Sequence, residues 1–273
     1  MSKESHTLKD FSNPPVVETV LGVQFNPLPF SIPHFGLYWS SIRSEFPQYR
    51  VLPPLGHIRE QFGSPSAGVS RKLGIEIVQD PEVRCWFLDK KGNQIIQVQR
   101  DRFIHNWQKI DGSEVYPRYE SVRAKFEVEW KRFREFSEQG GFGKPEVNQC
   151  EVTYVNHIEY EKGWKGFGEL NKVISCWSGK HSGTFLPTPE KVTFNVSYLL
   201  PSNQGRMYIS LEPVIRTRDA KEVLQLNLTV RGAPSSSNDV DVLRWLDVGR
   251  QWVVEGFTDF TTDAMHNVWG RLK

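Results

Sequence analysis

The sequence predicts an α+β fold, a two-layer arrangement with helices packed on one face of an antiparallel sheet. Three observations carry that prediction. Several runs alternate apolar and polar residues at the period of two that marks half-buried strands. Two long segments carry apolar residues at helical spacing, one over 118–139 and one near the C-terminus. The order strand, helix, antiparallel strands, long helix occurs twice, over 14–143 and 144–273, behind a polar, flexible N-terminal stretch 1–13.

Pro14-Pro15 opens the first strand, Val16 to Phe25, with Val17, Thr19, Leu21, Val23 and Phe25 on one face. Ser31 is the N-cap of a helix with Pro33 in its first turn and Phe35, Tyr38, Trp39, Ile42 and Phe46 at helical spacing. The stretch from Leu52 to Asp80 is rich in Pro, Gly and Ser, and GSPSAG at 63–68 reads as a mobile loop. Strands follow at Val83–Leu88 and Gln94–Gln99, joined by a turn at Lys90–Asn93, then another at Phe103–Trp107. The helix from Arg118 to Gln139 presents Tyr119, Val122, Phe126, Trp130, Phe133 and Phe136, and stops at Gly140-Gly141.

The second half repeats the pattern. Cys150, Val152, Tyr154, Asn156, Ile158 and Tyr160 share a strand face, and a short helix covers Phe167 to Trp177. Three strands are marked by Val192–Tyr198, Met207–Leu211 and Leu224–Val230, before the N-capping run Ser235–Asp239 and the terminal helix. Phe35-Gly36 with Ile42 matches Phe167-Gly168 with Ile174, and Trp130, Phe133 and Phe136 match Val254, Phe257 and Phe260. An internal duplication accounts for these matches; chance likeness of two α+β units is the alternative. The unit is similar in grammar to that of the TATA-binding-protein-like fold, a likeness of architecture that implies no function.

Net charge is +2, from 34 basic and 32 acidic side chains, so no strong long-range field draws the protein to nucleic acid or an anionic membrane. Cys85, Cys150 and Cys176 are odd in number and far apart, which argues against a disulfide framework and a cysteine zinc site. Cys85 and Cys150 fall in apolar runs and read as buried free thiols. No secretory leader and no membrane-spanning run is visible, and the expected location is the cytoplasm.

The sequence carries no GxSxG, HExxH, P-loop or strand-borne GxGxxG motif. Among seven histidines none pairs at metal-ligand spacing, and neither a metal nor another cofactor is expected. His157 and Glu159 lie on one side of a strand, and Asp263 and His266 are three apart on a helix; a solvated pair and a capping pair are the plainer readings. Val242, Leu246, Gly249, Val253, Gly256 and Phe260 form a narrow helical seam. It packs on the chain's own sheet or, with Trp245 and Trp252 as anchors, on a partner protein or a second copy.

Pro14-Pro15-Val16-Val17-Glu18 with Leu21–Phe25, and Phe260-Thr261-Thr262-Asp263 with Met265-His266 and Trp269-Gly270-Arg271, resemble the ends of a sporadically distributed family of uncharacterised bacterial and archaeal proteins. Its members begin with a PPxVE strand and finish with an LTTDxMHxxWGR tail; Phe260 here stands in place of the leucine. The resemblance implies membership and no mechanism, and its patchy distribution points to mobile or defence-linked genes. These readings favour a non-catalytic binding or regulatory subunit, for instance of a toxin–antitoxin or phage-defence system. Nucleic-acid binding across the sheet and an enzyme without a local signature are the alternatives. Against the former, the outward positions Thr193, Asn195, Ser197, Gln225, Asn227, Thr229 and Arg231 are polar but nearly uncharged.

Overall fold

A computed structural model describes residues 8–62, 82–179, 183 and 185–272. In the first half, β1 (Val16–Phe25) leads to α1 (Ile32–Ile42), β2 (Gln48–Leu52), β3 (Arg84–Leu88), β4 (Gln94–Gln99), β5 (Arg102–Gln108) and α2 (Arg118–Gln139). The second half contains β6 (Val147–Glu159), a 3-10 stretch at Phe167–Lys172, β7 (Phe194–Leu199), a short 3-10 turn at Pro201–Asn203, β8 (Arg206–Arg216) and β9 (Lys221–Gly232). The last helices are α3 (Asp239–Phe260) and α4 (Asp263–Val268). The nine strands form one antiparallel sheet in the order β2-β3-β4-β5-β1-β6-β9-β8-β7. This is the predicted α+β fold. The two halves share one sheet, joined where β1 and β6 pair from Val16–Asn156 to Phe25–Val147.

Alternation along the strands decides which side each residue faces. Leu21, Val23 and Phe25 on β1 and Phe103 and Trp107 on β5 turn towards the helices. There Phe103 lies 5.2 Å from Phe133 and 5.5 Å from Trp130, ring centre to centre. Phe25 stands 5.9 Å from both Trp130 and Phe133, so α2 is bound to the sheet by a continuous aromatic cluster. His105, between Phe103 and Trp107, is buried among them with neither ring nitrogen hydrogen-bonded.

The seam of α3 is turned onto the sheet. A Cβ at Gly249 would sit 2.8 Å from Val152 Cγ2, and one at Gly256 would overlap the end of Met207. Two glycines in a helix interior each cost about 1 kcal/mol of helix propensity, and here close approach to β6 and β8 is what they permit. Trp245 and Phe260 are buried, and Trp252 packs against the same core. Of the residues considered for partner contact, Trp245, Gly249 and Phe260 are buried within the chain itself, while Trp252 and Gly256 stay half-buried.

Several boundaries differ from expectation. Strand β2 was not foreseen, because Gln48–Val51 are exposed on an edge strand and show no apolar alternation. The helix expected at Phe167–Trp177 shrinks to the 3-10 stretch. The terminal helix breaks at Thr261, whose backbone is extended, and Thr262 caps α4 by accepting the Met265 N–H. GSPSAG at 63–68 lies outside the described residues.

The stretch 1–13 was expected to be flexible, yet residues 10–13 are held. Phe11 is buried and bridges Arg271, while Ser12 N–H donates to Gly270 C=O at 2.8 Å and Leu272 N–H to Asp10 C=O at 2.8 Å. Phe11 also packs edge-on against Phe257 and Trp269. Residues 10–13, just before the PPVVE strand, thus lie against the TTDAMHNVWGR tail. Cys85 and Cys150 are buried free thiols, as read from the sequence, and Cys176 is exposed. Among the described residues no helix is long and apolar enough to cross a membrane.

Candidate functional site

The face of the sheet opposite the helices is polar, and it is not empty. Residues 53–62, an extended stretch opened by Pro53-Pro54, run across it from β4 to β8 as a strap. Prolines favour such extension because they fix φ and restrict the residue before them.

Four side chains in one lateral row receive the strap. Gln99 on β4 pairs in register with Arg102 on β5, Arg102 with Gln24 on β1, and Gln24 with Gln149 on β6. Gln99 reads both backbone groups of Leu55: its Oε1 accepts the N–H at 2.8 Å and its Nε2 donates to the C=O at 2.9 Å. Arg102 Nη2 donates to Gly56 C=O at 3.0 Å. Ile58 N–H donates to Gln24 Oε1 at 3.3 Å. Gln149 Nε2 donates to Ile58 C=O at 2.7 Å, and its Oε1 accepts Glu60 N–H at 3.0 Å. An amide side chain presents a donor and an acceptor side by side, the complement of a peptide unit.

The row is itself fixed. Gln24 Oε1 accepts from Arg102 at 2.7 Å, and Gln99 Nε2 also donates to Asp101 at 2.9 Å. His57 Nδ1 lies 3.1 Å from Asp101 Oδ2 and its Nε2 lies 3.4 Å from Gln24 Nε2. A carboxylate only accepts and an amide NH2 only donates, so His57 carries its proton on Nδ1. All four members of the row are buried. Beyond it the strap ends on a charged anchor. The Glu60 carboxylate, only 4% exposed, pairs with Arg206 and accepts the Tyr208 hydroxyl at 2.7 Å. Arg206 also donates to Gln61 C=O at 3.1 Å and lies over the Phe62 ring.

The rest of the face continues the polar pattern. Arg84, Gln97, Asn106 and Glu18 form a hydrogen-bonded chain across β3, β4, β5 and β1. Burial raises the Glu18 carboxyl above its usual value, partly offset by Asn106. On the far side, Asn195, Ser197, Ser210, Tyr208, Asn227 and Thr229 line an open depression of about 210 Å3. Arg231 is paired with Glu151 and lies over the Tyr208 ring. The arginines here are offset by acids, which disfavours phosphate binding.

The polar candidates from the sequence fall elsewhere. His157 Nε2 contacts Gln225 at 3.3 Å while its Nδ1 is buried without a partner, and burial lowers its pKa. Glu159 is held at about 2 by Lys162 and Arg216, whose nitrogens lie 2.7 and 2.6 Å away. Asp263 and His266 do meet, at 3.3 Å, but the imidazole is a part of the fold rather than a surface group. Thr261 donates its hydroxyl proton to Phe257 C=O at 2.6 Å and so accepts from His266 Nε2 at 2.9 Å. Burial lowers the His266 pKa. Among the described residues no group of three or more His, Cys, Asp or Glu side chains is placed to hold a metal ion.

Gln24, Gln99, Gln149, Arg102 and Arg206 were not singled out from the sequence. Their one signal is position, a glutamine on the polar phase near the end of each of three strands, and it gains meaning only from the register. No protein-family model matches the chain, and comparison with curated proteins finds no match.

Proposed function

We propose that the protein is a non-catalytic binding protein whose helix-free sheet face takes an extended segment of a partner polypeptide in place of the strap. The observation that supports this is the row Gln99–Arg102–Gln24–Gln149, whose side chains read backbone N–H and C=O groups rather than particular side chains. Backbone reading tolerates many sequences, and the Arg206–Tyr208 anchor adds a preference for a carboxylate at the position of Glu60.

The strap is suited to exchange. None of its residues belongs to the hydrophobic core, and Ile58 is 38% exposed. A hydrogen bond nets about 1 kcal/mol, while ordering one residue costs about 1–2 kcal/mol, so a stretch held mainly by hydrogen bonds is close to balance. The like order of strands outward from β1 and β6 is consistent with the two halves being copies of one unit.

A fluorescent peptide with the sequence of residues 53–62 tests this against a full chain in which those residues are replaced by a Gly/Ser linker of equal length. The peptide is expected to bind that variant with saturation and the wild type at least tenfold more weakly. Adding Gln99→Ala and Gln149→Ala should abolish binding to the linker variant. A folded linker variant that ignores the peptide overturns the proposal.

A further inference from the structure

On the opposite face, a cavity of about 500 Å3 opens between the two long helices above the central strands, within the size range of small-molecule sites. Tyr154 of β6 and Leu228 of β9 form its floor, Tyr119 and Arg250 stand on its two helical walls, and Phe11 closes one end. The N-terminal segment that carries Phe11 is tied to the C-terminal tail, and the cavity lining comes from five separate stretches of the chain.

Its polar groups are few and converge. The hydroxyls of Tyr116 and Tyr154 are 2.9 Å apart and share one hydrogen bond, and the Tyr116 hydroxyl also meets the Thr19 side chain. Burial holds both phenols above their usual pKa, so both keep their protons. Arg250 lies over the Tyr119 ring at 5.1 Å, and its Nε–H is buried without a partner. Its one acid, Glu120, is 3.5 Å away and 73% exposed, a pair worth little in water. Lys9, Arg118 and Arg250 line the cavity against Asp10 and Glu120, an excess of one positive charge; Arg118 is engaged by Asp10 at 2.8 Å. Of the remaining lining, Asn156 is polar and donates to Leu226 C=O at 3.1 Å, while Val16 of β1 and Val253 and Phe257 of α3 are apolar.

We propose that this cavity binds a small organic anion, a carboxylate or sulfonate on an apolar body, with Arg250 and the Tyr116–Tyr154 pair holding its charged end. The site is independent of the strap and of any polypeptide bound in its place.

The test uses the full chain and two fluorescent probes, 8-anilinonaphthalene-1-sulfonate and the uncharged N-phenyl-1-naphthylamine. The sulfonate is expected to bind the wild type with saturation at one per chain. Arg250→Gln should weaken the sulfonate at least tenfold and leave the uncharged probe within twofold. Val254→Trp, which fills the cavity from the partly exposed side of α3, should remove both probes without lowering the melting temperature. If Arg250→Gln fails to fold, Tyr154→Phe keeps the ring volume, removes one hydroxyl and should weaken the sulfonate severalfold. Absence of saturable sulfonate binding to the folded wild type overturns the proposal. Equal loss of both probes in Arg250→Gln, or retained binding in a folded Val254→Trp, also overturns it.

Discussion

The two faces of one sheet are held by different physics. On the helix side Phe25, Phe103, Trp130 and Phe133 stabilise α2 against β1 and β5 through area removed from water, which is large and tolerant of direction. On the other side Gln24, Gln99, Arg102 and Gln149 are just as buried, yet they hold the strap through directional bonds of about 1 kcal/mol each. Buried polar side chains confer register and orientation more than stability. Damage to the first face should therefore unfold the whole molecule, and damage to the second should release one segment.

The strongest way to break that comparison is Trp130→Ala. Emptying a fully buried aromatic site costs about 3–5 kcal/mol, read as a shift of the whole denaturant transition. A loss below about 1 kcal/mol would mean that the aromatic face is not the main source of stability.

Acid probes the same face through His105. Burial lowers its pKa from 6.5 to about 3. At pH 7 the imidazole is neutral in the folded chain and mostly neutral in the unfolded one. Below about 6.5 the unfolded chain takes up a proton that the folded chain refuses until about pH 3, so stability falls with pH across that window. Between pH 7 and 4.5 the loss from this group is about 3 kcal/mol, and His105→Leu should remove that part of the slope in denaturation at the two pH values. Glu18, on the strap face, has the opposite sign. Its folded pKa is raised, so its contribution grows as pH falls through that value.

Gly249→Ala sets a methyl against Val152 and should cost about 1–3 kcal/mol, again as a global shift in a thermal or denaturant melt. The smallest global effect is expected from Gln149→Ala, at about 1 kcal/mol or less. Its signature is local: amide exchange at Glu60 should accelerate well over tenfold, while amides of β5 and β9 keep their protection. Equal acceleration everywhere would show that the strap is part of the cooperative core and would erase the contrast between the faces.

How much of this was legible follows from where the signals lie. The helix Arg118–Gln139 was readable to the residue, because its apolar face recurs from Tyr119 to Phe136, about five turns, and Gly140-Gly141 punctuates its end. The antiparallel strands of the second half were readable because Leu224, Leu226 and Leu228 alternate with polar partners. The edge strand β2 was not, since an exposed edge buries too little to leave a pattern. The α3 seam was visible, but one-dimensional spacing does not say whether two glycines face a partner or Val152 and Met207. The strap site was hidden for a deeper reason. Its four receiving residues come from four strands, and each alone is an ordinary polar residue on an alternating strand.

The clasp between residues 10–13 and the tail also sets a schedule. Phe11 leaves the ribosome early, but the rings it packs against, Phe257 and Trp269, follow about 250 residues later. At about 5–20 residues per second that is a wait of roughly 10–50 s. Strand β1, at the centre of the sheet, waits for β6 in the same way. Contacts this distant along the chain slow folding and leave apolar strands exposed meanwhile. A nascent chain halted before Val147 should thus stay open at its centre, and one halted before Trp269 should keep the clasp around Phe11 open and sensitive to protease.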